Sequence, residues 1–155
     1  MLKQNEKKVN VQHVFIHCAF FAGNERHRID PSWRGRINRQ IVVLLKQLKH
    51  QVHLVYCMSD QLHVILKLSP DTPLQELAGR IRENTLQMIN GVLQPRGRFY
   101  WMPGYAANSI GRAELVEVVK KIRSWDREGC DDFNEAFQDL PENGPPVPGT
   151  ENGIK

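Results

Sequence analysis

The stretch QVHLVYCMSDQLHVILKL, residues 51–68, consists of two apolar segments separated by a short polar turn. Valine, isoleucine and leucine dominate both segments, and the second alternates apolar with polar side chains, as a strand with one buried face does. A turn as short as MSD joins strands that run antiparallel. We therefore predict a β-hairpin with strands at 51–57 and 61–68, in which Leu62, Val64, Leu66 and Leu68 face one side.

Helix and strand patterns flank this hairpin on both sides. VQHVFIHCAFF, residues 11–21, is rich in β-branched and aromatic residues and predicts a first strand. Asp30 and Pro31 are typical of a helix start, and apolar residues follow at helical spacing, so we predict a helix over 31–49. After the hairpin, Thr72 and Gln75 flank a proline in the pattern of a capping box, which predicts a helix over 73–91.

The rest of the chain completes an α+β pattern. An aromatic segment broken by Pro-Gly predicts two short strands within 96–110, followed by a helix over 112–125 and a further short helix over 131–139. Residues 141–155 hold four prolines and three glycines and almost nothing apolar, so we expect a disordered tail after a single domain at 1–140. The order β-α-β-β-α-β predicts a ferredoxin-like or RRM-like antiparallel sheet with helices on one face.

Composition narrows the class of protein without naming a function. The 155 residues are 41% hydrophobic and 25% charged, as in soluble globular proteins. Lys and Arg exceed Asp and Glu by 21 to 17, which favours a polyanionic partner without requiring one. Three cysteines without CxxC spacing indicate neither a disulfide framework nor a zinc ribbon and fit a reducing cytoplasm. The longest apolar run, IVVLL at 41–45, is too short to span a membrane.

Several segments resemble the motifs of one family. MSDQLHVILKL at 58–68 resembles the motif MPDHVHLLV, RFYWMPGYAANSI at 98–110 resembles FxWQxGYxxxSV, and ELVEVVKKIRSW at 114–125 resembles VxxVxxYIxxQ. HVFIHC at 13–18 resembles the strand HxVFST. On these motifs and their spacing, the chain from about residue 13 to 140 resembles the single-tyrosine HUH transposases, including the REP-associated ones.

The resemblance implies cutting and rejoining of single-stranded DNA. In this chemistry a divalent metal, Mg²⁺ or Mn²⁺, polarises the scissile phosphate, and a tyrosine attacks it to form a covalent phosphotyrosine. Two histidines on one strand face hold the metal, and a later helix supplies the tyrosine and, four residues on, a glutamine ligand. The matching positions here are, in chain order, Gln61, His63, Lys121 and Trp125.

Only His63 keeps the residue type that this chemistry needs. The oxygen of Gln61 could ligate a hard cation, so Gln61 and His63 form a weak candidate metal site. Lys121 is protonated at neutral pH and would give a labile phosphoramidate, while Trp125 can only donate a hydrogen bond. No tyrosine follows Tyr105, so no alignment of the helix restores the nucleophile. We therefore predict that strand cleavage is lost.

Basic and aromatic residues suggest a DNA-binding surface. In RGRFYW two arginines adjoin three aromatic residues, a combination that can grip phosphates and stack on exposed bases. Solvation alone would explain many of the arginines, and packing in a strand would explain the aromatic residues. The predicted nucleic-acid-binding residues are Arg34, Arg36, Arg39, Arg80, Arg82, Arg96, Arg98, Tyr100 and Trp101.

These features predict a transposase-like protein that binds single-stranded or hairpin DNA, with family resemblance implying a homodimer. Two alternatives stay open: an active metal-dependent nickase that uses Gln61 and His63 with an unconventional nucleophile, and a scaffold that binds no DNA. Structural roles are also open for single residues. His63 could be a polar residue on an exposed strand face, Trp125 a core anchor, and Lys121 an ion-pair partner of Glu117 or of a DNA phosphate.

Overall fold

A four-stranded antiparallel sheet forms the centre of the computed structural model, which describes residues 12–23, 28–94 and 98–126. The sheet has the order β2-β3-β1-β4. Its strands are β1 (Phe15–Phe21), β2 (Gln51–Cys57), β3 (Gln61–Lys67) and β4 (Ala106–Ile110). The predicted hairpin is therefore confirmed, with β2 ending as predicted and β3 ending one residue earlier.

Three α-helices connect and cover the strands. They are α1 (Arg34–Gln47), which follows a 3-10 turn at Pro31–Trp33, α2 (Leu74–Gln87), which continues as a π-helical segment at Met88–Leu93, and α3 (Leu115–Ser124), which follows a 3-10 turn at Arg112–Glu114. In the unit β1-α1-β2 the two strands are not neighbours, because β3 lies between them. In the unit β3-α2-β4, β1 likewise lies between β3 and β4. This interleaving is the ferredoxin-like arrangement, so the predicted α+β class is confirmed.

The helix starts agree only partly with the sequence signals. The side chain of Asp30 accepts a hydrogen bond from the backbone N–H of Ser32 at 2.9 Å, as predicted for a helix N-terminus. The capping box predicted at Thr72 and Gln75 is absent, because Pro73 takes the N-cap position and no side chain bonds there. A reciprocal contact occurs instead before α3, where the Glu114 carboxylate accepts from the N–H of Gly111 at 2.9 Å.

The two faces of the sheet bear different helices, so α3 departs from the predicted arrangement in which the helices share one face. Side chains of paired residues in antiparallel strands share a face, so His17, Ala19, Phe21, Tyr56, Gln61, His63 and Ile65 form one face, here called the histidine face. On the opposite face, the ring of Phe20 contacts Trp101, whose indole N–H donates to Thr85 of α2. Gln40 of α1 bonds to Asn84 of α2, and the end of α3 lies over the histidine face.

Other boundaries differ from the sequence prediction or lie outside the described residues. β1 begins at Phe15, and the first of the two short strands predicted within 96–110 is reduced to a single bridge between Ala22 and Trp101. The predicted helix at 131–139 and the predicted tail at 141–155 fall outside the described residues. Among the helices in the described ranges, none has the length and hydrophobicity required to cross a membrane.

Candidate functional site

A chain of hydrogen bonds joins three polar side chains on the histidine face. Nε2 of His63 lies 2.7 Å from Oε1 of Gln61, and Nδ1 of His63 lies 2.9 Å from Nε2 of His17. An amide oxygen only accepts, so Nε2 of His63 must carry the proton and donate it. Nδ1 of His63 then accepts a hydrogen bond from the N–H of His17. Both ring nitrogens of His63 are therefore occupied within the protein.

The end of α3 covers this chain. The indole of Trp125 lies 5.6 Å from the His63 ring, centroid to centroid, and His63 is only 2% exposed although Trp125 itself is 50% exposed. Burial, with a smaller contribution from His17, lowers the pKa of His63 to about 4. Burial also lowers the pKa of His17. His63 is consequently neutral at physiological pH, in agreement with the hydrogen bonds it makes.

A buried ion pair fixes α3 in this position. Nη2 of Arg34, at the start of α1, lies 2.5 Å from Oδ2 of Asp126, and these side chains are 1% and 3% exposed. The hydroxyl of Tyr56 donates to the same carboxylate oxygen at 2.5 Å, and Nε of Arg34 donates to the carbonyl of Cys57. The Arg34–Asp126–Tyr56 cluster thus joins the start of α1, the end of β2 and the residue that follows Trp125.

The residues at the family's metal positions do not fit a divalent cation in this arrangement. A histidine ligates metal through a ring nitrogen that offers a lone pair, and in His63 one nitrogen donates to Gln61 while the other accepts from His17. Trp125 covers the ring and supplies no lone pair. Within the described ranges, no group of three or more His, Cys, Asp or Glu side chains is arranged to hold a metal.

Two of the residues predicted to bind nucleic acid are buried. The Arg34 guanidinium is enclosed with Asp126, and the Trp101 indole packs in the core, where its N–H donates to Oγ1 of Thr85 at 2.7 Å. Neither can reach a ligand, so the structure removes both from the predicted interface. Sequence reasoning placed them on the surface because their partners are 92 and 16 residues away in the chain.

The other predicted DNA-binding residues are distributed over several elements. Arg80 forms an ion pair with Glu76 at 3.9 Å one turn earlier in α2. Arg82 is half-buried, and Arg96 lies outside the described residues. The exposed members of the predicted set are Arg36, Arg39, Arg80, Arg98 and Tyr100.

The family positions on α3 differ from the structural roles considered for them. Lys121 is exposed, and the predicted ion pair with Glu117 is not the one formed, because Glu117 pairs with Lys120 at 3.8 Å. Trp125 is half-exposed over His63 and is not a core anchor. His63 is buried and does not stand on a solvent-facing strand side.

Exposed apolar side chains lie near the end of β1 and the start of β3, at the end of the sheet where Trp125 covers His63. Phe21, Tyr100, Met102, Tyr105 and Trp125, each at least 36% exposed, form what we call the aromatic rim. Phe21 is paired with Gln61 in the sheet, and its carbonyl accepts from the N–H of Met102 at 2.7 Å. Tyr105 contacts the ring of Phe20 at 6.3 Å between centroids.

Gly23 is required for the position of Tyr100 in the aromatic rim. The Gly23 N–H donates to the Tyr100 carbonyl at 2.8 Å, and a Cβ on Gly23 would lie 2.0 Å from the Tyr100 ring. Any larger residue there would therefore displace the tyrosine. The close approach places an exposed aromatic ring on the surface beside the end of β1.

His17 and Asp126 were not among the site residues predicted from the sequence. His17 could have been found, because β1 alternates and its antiparallel pairing with β3 sets His17 diagonally across from His63. Asp126 carried no local signal. Its role depends on where α3 ends relative to Arg34, which is a tertiary property.

This fold and site define a class of protein: a ferredoxin-like α+β domain in which one strand of the sheet carries a histidine and a third helix covers that histidine. A family model described as "Transposase IS200 like" matches residues 10–124, so the chain belongs to the IS200-like transposase family. This confirms the family that the motifs indicated.

Two solved structures are similar to this chain. A transposase candidate from Deinococcus radiodurans shares 16% sequence identity at a TM-score of 0.51, over 79% of this chain and 98% of its own. A REP-associated tyrosine transposase bound to a REP hairpin shares 11% identity at a TM-score of 0.48, over 77% of this chain and 74% of its own. The search of curated proteins found no match.

Proposed function

We propose that this chain binds single-stranded or hairpin DNA and does not cut it. The observation that carries the proposal is the aromatic rim, which is exposed beside a histidine site that is hydrogen-bonded internally and covered by Trp125. The rim offers surfaces for stacking bases, and the covered site offers neither a metal ligand nor a nucleophile. Membership of the IS200-like transposase family supports DNA as the partner.

Stacking and charge would together supply the affinity. A base stacked on an aromatic side chain contributes about 1–3 kcal/mol with little dependence on sequence. Arg98, two residues before Tyr100, and Arg36, near the start of α1, are exposed and can contact phosphates. Unpaired bases, such as those of single strands and hairpin loops, can reach such a surface, whereas bases inside a duplex are already stacked.

Loss of cleavage follows from the residues at the family positions. Lys121 stands where the family has its tyrosine, and a lysine has no phenol oxygen with which to form the phosphotyrosine intermediate. His63 would have to break two hydrogen bonds and displace Trp125 before it could bind a cation. The metal, Mg²⁺ or Mn²⁺ in the family, is therefore not part of the proposed activity.

The chain is also proposed to act as a homodimer in the cytoplasm. β4 is an edge strand of the sheet, and its five residues are exposed or half-buried. An uncovered edge offers backbone donors and acceptors to a second strand, so two sheets could join through β4. Sedimentation of the full-length protein tests this, and a monomer at all concentrations would contradict it.

DNA binding is tested with labelled single-stranded, hairpin and duplex DNAs at several salt concentrations, in the presence of Mg²⁺ or Mn²⁺. We expect affinity for the single-stranded and hairpin DNAs that falls steeply with salt, and intact strands on denaturing gels. Metal-dependent nicking would instead establish the active-enzyme alternative. Absence of binding at low salt would favour the scaffold.

A matched pair of variants tests the aromatic rim. Tyr100→Ala removes a stacking surface and should weaken binding of single-stranded DNA by about 1–3 kcal/mol. Val43→Ala removes an exposed apolar side chain from α1 and should leave the affinity unchanged. Equal effects of the two substitutions would mean that the rim does not contact bases.

A further inference from the structure

A cleft of about 260 Å³ lies at the end of the sheet opposite the aromatic rim. It is lined by Gln12, Lys49, Gln51, Lys67, Leu68, Ser69 and Pro70. β3 starts at Gln61 beside the covered histidines and ends at Lys67 in this cleft, and with a rise of about 3.3 Å per residue the two ends are roughly 20 Å apart. The cleft is therefore separate from the site described above.

Two lysines line the cleft, Lys49 and Lys67. Within the described ranges, no carboxylate lies within ion-pair distance of Lys49 or Lys67. The field of Lys67 extends to its surroundings, since burial and the Lys67 charge together lower the pKa of His53 to about 4. Desolvation, Lys67 and Arg112 likewise lower the pKa of His13. Anions should be attracted to this end of the sheet.

Lys49 occupies a backbone conformation that disfavours side chains. Its φ is +68°, and it follows α1 in a Schellman motif, in which the N–H of His50 bonds to the Leu45 carbonyl and the N–H of Lys49 to the Lys46 carbonyl, both at 3.0 Å. Glycine is the usual residue at this position because it adopts positive φ without strain. A lysine here accepts strain at a position that lines the cleft, a pattern that points to function.

We propose that the Lys49–Lys67 cleft binds a phosphate group of the nucleic-acid backbone. The two lysines supply charge, and the amide of Gln51 and the hydroxyl of Ser69 offer neutral hydrogen bonds at the wall, while the Gln12 amide already donates to the Leu68 carbonyl at 3.2 Å. Ser69 is held in place by its N–H, which donates to Nδ1 of His50 at 2.9 Å. This inference rests on the proposed DNA binding, to which it adds a second contact that would fix the orientation of the bound strand.

One pair of lysine variants tests whether the cleft itself binds DNA or whether any loss of positive charge weakens binding. Lys67→Gln should weaken binding of a labelled DNA hairpin several-fold and reduce the slope of log affinity against log salt by about one. Lys120→Gln removes the same charge from an exposed ion pair on α3 and should change neither quantity appreciably. If both variants lose affinity equally while the wild type still binds DNA, the cleft proposal is overturned and the proposed function stands.

Inorganic phosphate provides a measurement that does not depend on DNA. Added to the full chain, it should shift the backbone amide resonances of residues 67–69 in the wild type and not in Lys67→Gln. If phosphate shifts these resonances but the protein binds no DNA, the proposal that the ligand is a nucleic-acid phosphate is overturned. The cleft would then bind a phosphate group from another kind of molecule. No shift in the wild type, together with unchanged DNA binding of Lys67→Gln, would overturn the cleft altogether.

Discussion

Asp126→Asn should destabilise the fold more than any other single change in the Arg34–Asp126–Tyr56 cluster. The substitution keeps the shape of the side chain but removes the negative charge of Asp126 from beside the Arg34 guanidinium, which is 1% exposed. Removing one partner of a buried ion pair costs about 3–5 kcal/mol. Domains of this size have unfolding free energies of about 5–15 kcal/mol, so a large share of the stability should be lost.

Urea unfolding followed by circular dichroism measures the effect, and two controls isolate its cause. Tyr56→Phe removes one hydrogen bond to the carboxylate and keeps the ion pair, so it should cost about 1.5–3 kcal/mol. The double change Arg34→Met with Asp126→Leu removes both charges and should recover most of the loss. If Asp126→Asn lies within about 1 kcal/mol of the wild type, the ion pair does not hold α3, and the reasoning fails.

Three further predictions concern Lys49, Trp125 and the buried histidines. Lys49→Gly should raise the unfolding free energy by about 1 kcal/mol, because glycine tolerates the positive φ, while weakening DNA binding; a loss of stability in urea would refute the strain at Lys49. Trp125→Ala should raise the pKa of His63 from about 4 towards its ordinary value, and an unchanged NMR titration would show that the indole does not cover the ring. The lowered pKa values of His63 and His53 leave the folded state with fewer bound protons than the unfolded state. The free energy of unfolding should therefore fall as the pH drops from about 6.5 to about 4, by at most about 3 kcal/mol per histidine. His63→Gln should make the free energy of unfolding less dependent on pH over this range.

The sheet was more predictable than the contacts that cross it. The hairpin could be predicted because alternation and turn length are local properties, and the Asp30 cap because its acceptor lies two residues away from its donor. The capping box at Thr72 failed because Pro73 sets the helix start by its own fixed φ. Alternation also placed Gln61 and His63 on one face, but nothing local indicated how deeply that face is covered.

Burial of the site depends on groups far apart in sequence. His63 is covered by a residue that follows it by more than sixty positions, and Arg34 is buried by a carboxylate 92 residues away. Local sequence patterns carry no information about distant partners. Arg34, near a helix start, and Trp101, in an aromatic segment, were therefore predicted to be surface residues. Their partners become visible only when α3 and α2 are placed against the sheet.

The residues at the positions predicted to be equivalent to the family's site are structurally compatible with one another. The amide oxygen of Gln61 accepts a hydrogen bond from Nε2 of His63 at 2.7 Å. Trp125 covers the same ring with an indole that needs no metal. His17 completes the chain from the neighbouring strand, so His63 has a hydrogen-bond partner at each ring nitrogen without an ion. This mutual fit satisfies both ring nitrogens of a buried histidine without an ion, and it supports the proposal that the site has a structural role and does not cut DNA.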